Sequence, residues 1–183
     1  MTTLVIGAVL VLVLLFSVVL YNRLVRARNL VEEAWSGIDV QLKRRTDLIP
    51  NLVETVRGYV QHERGVLEEV TAQRTRTLQA SSVEEREQAE RGLGRALGAL
   101  FAVAENYPDL KANQNFLELQ QALADIENEI QLARRYYNGT VRDLNILVES
   151  FPSNLFASLF GFRKARFLEI EEGERAVPKV SFS

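Results

Sequence analysis

A chain of 183 residues, 47% apolar and 25% charged, has the ordinary make-up of one globular unit, and its net charge of -2 offers no basic surface for nucleic acid. The absence of Cys excludes a disulfide framework, a thiolate zinc site and a Cys nucleophile, and a single His argues against a multi-histidine metal centre. Every Lys, Arg, Asp and Glu lies beyond Asn22, so composition alone divides the chain.

The uncharged stretch comes first. Leu4 to Leu20 reads LVIGAVLVLVLLFSVVL, in which only Gly7 and Ser17 are not strongly apolar, and Thr2 to Tyr21 extends it to a length that spans a hydrocarbon core of about 30 Å. A secretory signal peptide would carry Lys or Arg ahead of the apolar run and a small-residue cleavage pattern after it, and neither is present. Residues 1–22 are therefore expected to be a transmembrane anchor. Arg23, Arg26 and Arg28 follow it at once, and the positive-inside rule puts the bulk of the chain in the cytoplasm, on a single-pass protein of the cell (inner) membrane.

Residues 23–168 read as a bundle of about four long helices, antiparallel and up-and-down, because apolar residues recur at spacings of three and four and Pro and Gly are sparse. Leu24, Val31, Trp35, Ile38 and Leu42 mark the first helix, continuous with the span. A second is expected to start near Asp47 with Pro50 in its first turn, its stripe running Ile49, Leu52, Val53, Val56, Tyr59, Val60, Val66, Leu67 and Val70. Ser82 and Glu85 form a capping box for a third helix that reaches about Asn106, and Tyr107-Pro108 is the next break. On that third helix Gly94, Gly98 and Ala102 invite close packing inside the bundle, with a dimer interface as the alternative. The fourth has the cleanest repeat, from Phe116 through Ile126, Ile130, Tyr137 and Leu144 to Phe151, five heptads that suit a coiled-coil seam. A seam longer than helix three leaves apolar surface for a second subunit, so a homo-oligomer is expected.

The composition changes again at Phe151. Phe156, Phe160, Phe162 and Phe167 follow within a few residues, Ser153 can cap a short amphipathic helix over 153–161, and Gly161 can end it. Four helices of alternating direction bring this segment back to the bilayer, where Leu155, Phe156, Leu159, Phe160 and Phe162 beside Arg163, Lys164 and Arg166 suit lipid contact. The competing reading has the same Phe side chains capping the open end of the bundle. Residues 169–183 are expected to be a flexible tail.

Polar residues that interrupt the seams are the remaining signals. Glu63 falls on the line Ile49, Val56, Val70, and Arg28 and Arg45 interrupt the first helix in the same register; buried charges of this kind require partners. Asn138 and Asn145, one heptad apart, read as hydrogen-bonding groups between helices. Catalytic constellations are missing: a di-iron bundle needs two Glu-x-x-His pairs, His62 has no second His four residues on, and no phosphate loop or nucleophile elbow occurs. No catalytic residue, metal or cofactor is expected.

The stretches YNRLVRARNLVEEAWSGIDVQLKRRTDLIPNLVETVRGYVQHE (Tyr21 to Glu63), ENYPDLKANQNFLELQQAL (Glu105 to Leu123), ARRYYNGTV (Ala133 to Val141) and FPSNLFA after Ser150 resemble the LemA family. The resemblance implies an all-helical bundle behind one N-terminal span, with no established catalytic activity and no catalytic set to carry over. It also implies bacterial membrane company: one family member serves magnetosome assembly, and family genes often neighbour those of membrane proteases, which makes such a protease a possible protein partner. The expected function is a membrane-anchored adaptor or scaffold that binds protein partners and self-assembles. Two alternatives stay open, a membrane-surface remodelling protein acting through the Phe-rich segment and an enzyme with an unrecognised site.

Overall fold

The computed structural model describes residues 1–60 and 63–168. Among these the chain is all-α, with helices α1 (Thr2–Arg57), α2 (Arg64–Gln79), α3 (Val83–Ala104), α4 (Pro108–Lys111), α5 (Gln114–Glu149) and α6 (Ser153–Leu159). The expected tail at 169–183 and His62 lie outside the described residues. Two compact units emerge, one from Asp39 to Gln131 and one from Met1–Ile38 with the described residues from Leu132 on.

The first difference from the sequence reading is at Pro50. No helix starts near Asp47; α1 continues to Arg57 with Pro50 inside it. Proline has no N–H for the carbonyl four residues back, and that carbonyl belongs to Thr46. Arg74 on α2 supplies the missing donor, its Nε giving a 3.1 Å hydrogen bond to the Thr46 oxygen. The break comes instead after Arg57, where the amides of Tyr59 and Val60 both turn back to the Val56 carbonyl. One buried stripe is thus shared by two helices: Ile49, Leu52, Val53 and Val56 close α1, Val60 lies in the turn, and Leu67 and Val70 open α2.

Around that stripe the Asp39–Gln131 unit builds its core from Leu93, Ala96, Leu97 and Leu100 of α3, Leu110 of α4, and Phe116 and Leu123 of α5. Phe101 and Phe116 meet edge to face at 6.1 Å. Gly92 allows α3 to approach α2 closely, because a Cβ there would overlap the buried Gln73 amide. The small-residue row behaves otherwise: Gly94, Gly98 and Ala102 are exposed, and nothing lies near Gly94 or Gly98. Asn113 opens α5, its Oδ1 accepting from the Phe116 amide at 3.0 Å while its Nδ2 donates to the Tyr59 hydroxyl at 2.8 Å.

In the other unit Leu24, Ala27, Val31, Ala34 and Ile38 of α1 and Tyr137, Val141 and Leu144 of α5 are buried. Trp35 and Tyr137 meet edge to face at 5.8 Å. Phe151, expected to end the α5 stripe, is 81% exposed because α5 stops at Glu149 and the chain turns at Phe151-Pro152. Ser153 does not cap α6; its hydroxyl donates to the Ser150 carbonyl at 2.9 Å, whereas Gly161, at φ 72°, supplies the left-handed residue that follows the helix.

The start of α3 has a pH-dependent cap. Ser82 Oγ accepts from the Glu85 amide at 3.1 Å, and the Glu85 carboxylate reaches one residue further back, accepting from the Ser81 amide and hydroxyl, each at 2.9 Å. The Ser81 main-chain bond, then its hydroxyl and the Ser82 amide, hold the Glu85 carboxyl below the usual carboxylate range. A folded-state pKa below the unfolded one contributes stability that is complete above the unfolded value, about 4.3, and is lost as pH falls through the folded value. Hydrogen exchange at residues 81–86 should therefore quicken as pH drops into that window, after correction for intrinsic exchange, and Glu85→Gln should show no such step.

Candidate functional site

The apolar run supplies the first part of the site. Apart from half-buried Ser17, Leu4 to Val19 present their side chains outward, and Leu20 is the first buried residue. It is one helix long and apolar enough to cross a membrane, with a mean hydropathy of 3.0 over its most apolar window. Tyr21 stands where the run ends. Its ring meets Phe160 at 4.9 Å and Phe162 at 5.9 Å, both edge to face, so the turn after α6 is fixed beside that end of α1.

Arg28 is not a buried interruption of the α1 seam. The buried line passes through Leu24, Ala27 and Val31, which leaves Arg28 to one side, exposed. Its guanidinium lies over the Phe162 ring, 5.4 Å from the centroid, with Glu32 at 3.9 Å. Of the Phe-rich segment, Phe156 and Phe162 are half-buried, while Phe160, Arg163 and Lys164 are exposed, and Lys164 Nζ pairs with Glu149 at 2.6 Å.

Residues 162–168 form an extended strap held by two α5 amides. Asn145 Oδ1 accepts from the Ala165 amide at 2.9 Å and its Nδ2 donates to the Ala165 carbonyl at 3.0 Å. Asn138 repeats the pattern on Leu168, at 2.9 Å from its amide and 3.1 Å to its carbonyl. Each asparagine thus does for one strap residue what a neighbouring strand would do, and the strap residues lie three apart because they are extended while the asparagines are one heptad apart on a helix. Tyr137 adds a hydroxyl bond to the Arg166 carbonyl at 3.1 Å, and Leu168 is buried beneath the strap's end. The periodicity marked both asparagines as polar, but an aperiodic strap gave no sign of itself as their partner.

The other unit holds the buried charge. Arg45 is 5% exposed; its Nη2 lies 2.6 Å from Glu90 Oε2 and donates to the Glu90 carbonyl at 3.3 Å, while Nη1 lies 2.5 Å from Glu127 Oε2. Three helices meet there, α1 through Arg45, α3 through Glu90 and α5 through Glu127. Glu90 and Glu127 escaped the sequence reading because neither interrupts a long apolar stripe. Glu63 stands elsewhere, half-buried ahead of α2. Asp39 and Arg86 form a further ion pair between α1 and α3.

Two variants test these contacts. Arg45→Met keeps most of the volume but strands the Glu90 carboxylate, and it should cost about 3–5 kcal/mol in denaturant unfolding; Arg45→Met/Glu90→Leu should recover most of that loss. Asn145→Ala removes two backbone bonds, together worth about 1–3 kcal/mol, and should speed exchange of the Ala165 amide while leaving Leu93 protected. Asn145→Asp, which keeps the acceptor and loses the donor, should fall between.

In an alignment 175 residues long that covers 81% of this chain, it is 25% identical to "Magnetosome protein MamQ 1" and "Magnetosome protein MamQ 2" of Paramagnetospirillum magneticum. The alignment covers 64% of those relatives, so the chain matches less than two thirds of their length. It is 28% identical over 159 residues to "Protein LemA" of Metamycoplasma hominis, covering 84% of this chain and 71% of that one. The family model described as "LemA family" matches residues 34–182, which begins within α1, and the chain belongs to the LemA family.

Proposed function

We propose that this chain is a bitopic protein of the cell membrane whose cytoplasmic helices act as a binding and assembly module, holding protein partners stoichiometrically and without catalysis. The observation that carries this reading is the contrast within α1: its first part exposes Leu, Val, Ile and Phe along its length, whereas from Leu24 on the same helix buries an apolar line against its own chain. Only lipid offers the first part an apolar surround over such a length. Arg23, Arg26 and Arg28 behind the run support a cytoplasmic position for the remainder.

The buried arginine, the asparagine pair and the α3 cap all bind the chain's own helices and strap, so a binding role falls to the exposed surfaces. The exposed Gly94, Gly98 and Ala102 row gives self-assembly a surface on which helices can approach closely. The relatives named as magnetosome proteins support membrane company and leave the partner open.

Chemical cross-linking in native membranes, followed by isolation of the full-length protein, tests this reading. The expected result is a reproducible protein partner, a membrane protease among the possibilities, together with cross-linked copies of the chain itself. Recovery with lipid alone would favour remodelling, and a co-purified small molecule turned over by the protein would overturn the non-catalytic assignment.

A further inference from the structure

Helix α6 is built inside out. Ser153 and Ala157, four residues apart, are its buried positions, and Leu155 and Leu159, also four apart and on the opposite side, are 59% and 75% exposed. Phe151 just before the helix and Phe160 just after it add apolar surface at 81% and 54% exposure. An amphipathic helix against a protein core turns its large apolar residues inward; here the small Ser153 and Ala157 face the protein, Phe156 is half-buried, and Leu155 and Leu159 face away.

We infer that the outer face of α6, carried by Leu155, Leu159 and Phe160, is a lipid-contact surface lying in the headgroup region of the bilayer that α1 spans. This rests on the single-span reading above and assigns the same membrane a second point of contact. Its position argues for lipid over a protein occupant. Phe160 is packed on Tyr21, the residue that ends the apolar run, so the exposed stripe begins at the depth where the outward-facing Leu and Val side chains of the span leave off. Charge agrees with place: Arg23 and Arg26 on α1 and Arg163 beyond α6 are exposed at this end, where phosphate headgroups would meet them. The strap explains how the face is kept outward. The Asn145 and Asn138 bonds to Ala165 and Leu168 draw the chain after α6 back along α5, and the Tyr21 contacts with Phe160 and Phe162 hold the intervening turn. The surface differs from the one read from sequence, since Phe156 and Phe162 spend much of their area on the protein itself.

The chain has no Cys, so single-cysteine variants of the full-length protein accept one environment-sensitive fluorophore each. Leu155→Cys and Leu159→Cys alter exposed positions, Thr75→Cys on α2 is a solvent-exposed control, and Leu12→Cys lies in the span. In vesicles of phosphatidylcholine and phosphatidylglycerol, labels at 155 and 159 should emit at shorter wavelength than the label at 75, and nitroxide-headgroup lipid should quench them roughly twofold. Quenching of both by aqueous iodide as strong as at 75, with none from nitroxide lipid, would overturn the inference. So would shelter from both quenchers that disappears when the protein is diluted among more vesicles, which would assign the face to a second copy. A label at 12 that nitroxide lipid buried in the bilayer fails to quench would sink the span itself, and that result separates failure of the anchor from failure of the α6 contact.

Discussion

Two consecutive residues of α1 gather the helices of the Asp39–Gln131 unit. Arg45 places a guanidinium between carboxylates of α3 and α5, and the carbonyl of Thr46 accepts from Arg74 of α2. The second of these contacts is tied to Pro50. With the proline in place the Thr46 carbonyl has no donor within α1; without Arg74, that buried acceptor next to the proline ring would be unpaired, at a cost comparable to a lost hydrogen bond. The proline therefore acts as a docking position for the neighbouring helix rather than as a boundary, and the register that seats Ile49, Leu52, Val53 and Val56 in the core is kept.

Buried charge in this setting is a device for register more than for net stability. A guanidinium at 5% exposure must have its charge answered, and apolar residues of similar volume often serve stability as well or better. What the ion cluster contributes is selectivity, because an α3 shifted by a residue would set Ala89 or Arg91, and a shifted α5 Ile126 or Asn128, where a carboxylate now answers Arg45. At the nearby Gly92 the buried Gln73 side-chain amide fills the space that a Cβ would take.

The other unit relies on hydrogen bonds to backbone and on aromatic edges. An extended strap next to a helix has no ladder partner, and its amides and carbonyls must find donors and acceptors elsewhere. The two asparagines supply both, at a spacing that matches an extended chain to a helix, with Tyr137 serving the carbonyl between them. Tyr21, Phe160 and Phe162 then tie the turn to the end of the apolar run, with Arg28 over the Phe162 ring. The result is a small element held in place while Leu155 and Leu159 stay outside.

The amino-acid sequence by itself determined the apolar run, the all-α class, the long α5 and the Ser82–Glu85 start of α3, because each follows from local patterning: unbroken apolarity, a spacing of three and four, and a cap within one turn. It also marked Arg45, Asn138 and Asn145 as polar residues needing partners. Only the tertiary structure decided who those partners are. Glu90, Glu127, Ala165 and Leu168 lie between 20 and 82 residues away in the chain and carry no periodic mark of their own. Tertiary contact likewise carried α1 through Pro50, where local rules favour a new helix, and left Gly94 and Gly98 open. It also turned Leu155 and Leu159 outward, since which face of a seven-residue helix is buried depends on what packs beside it.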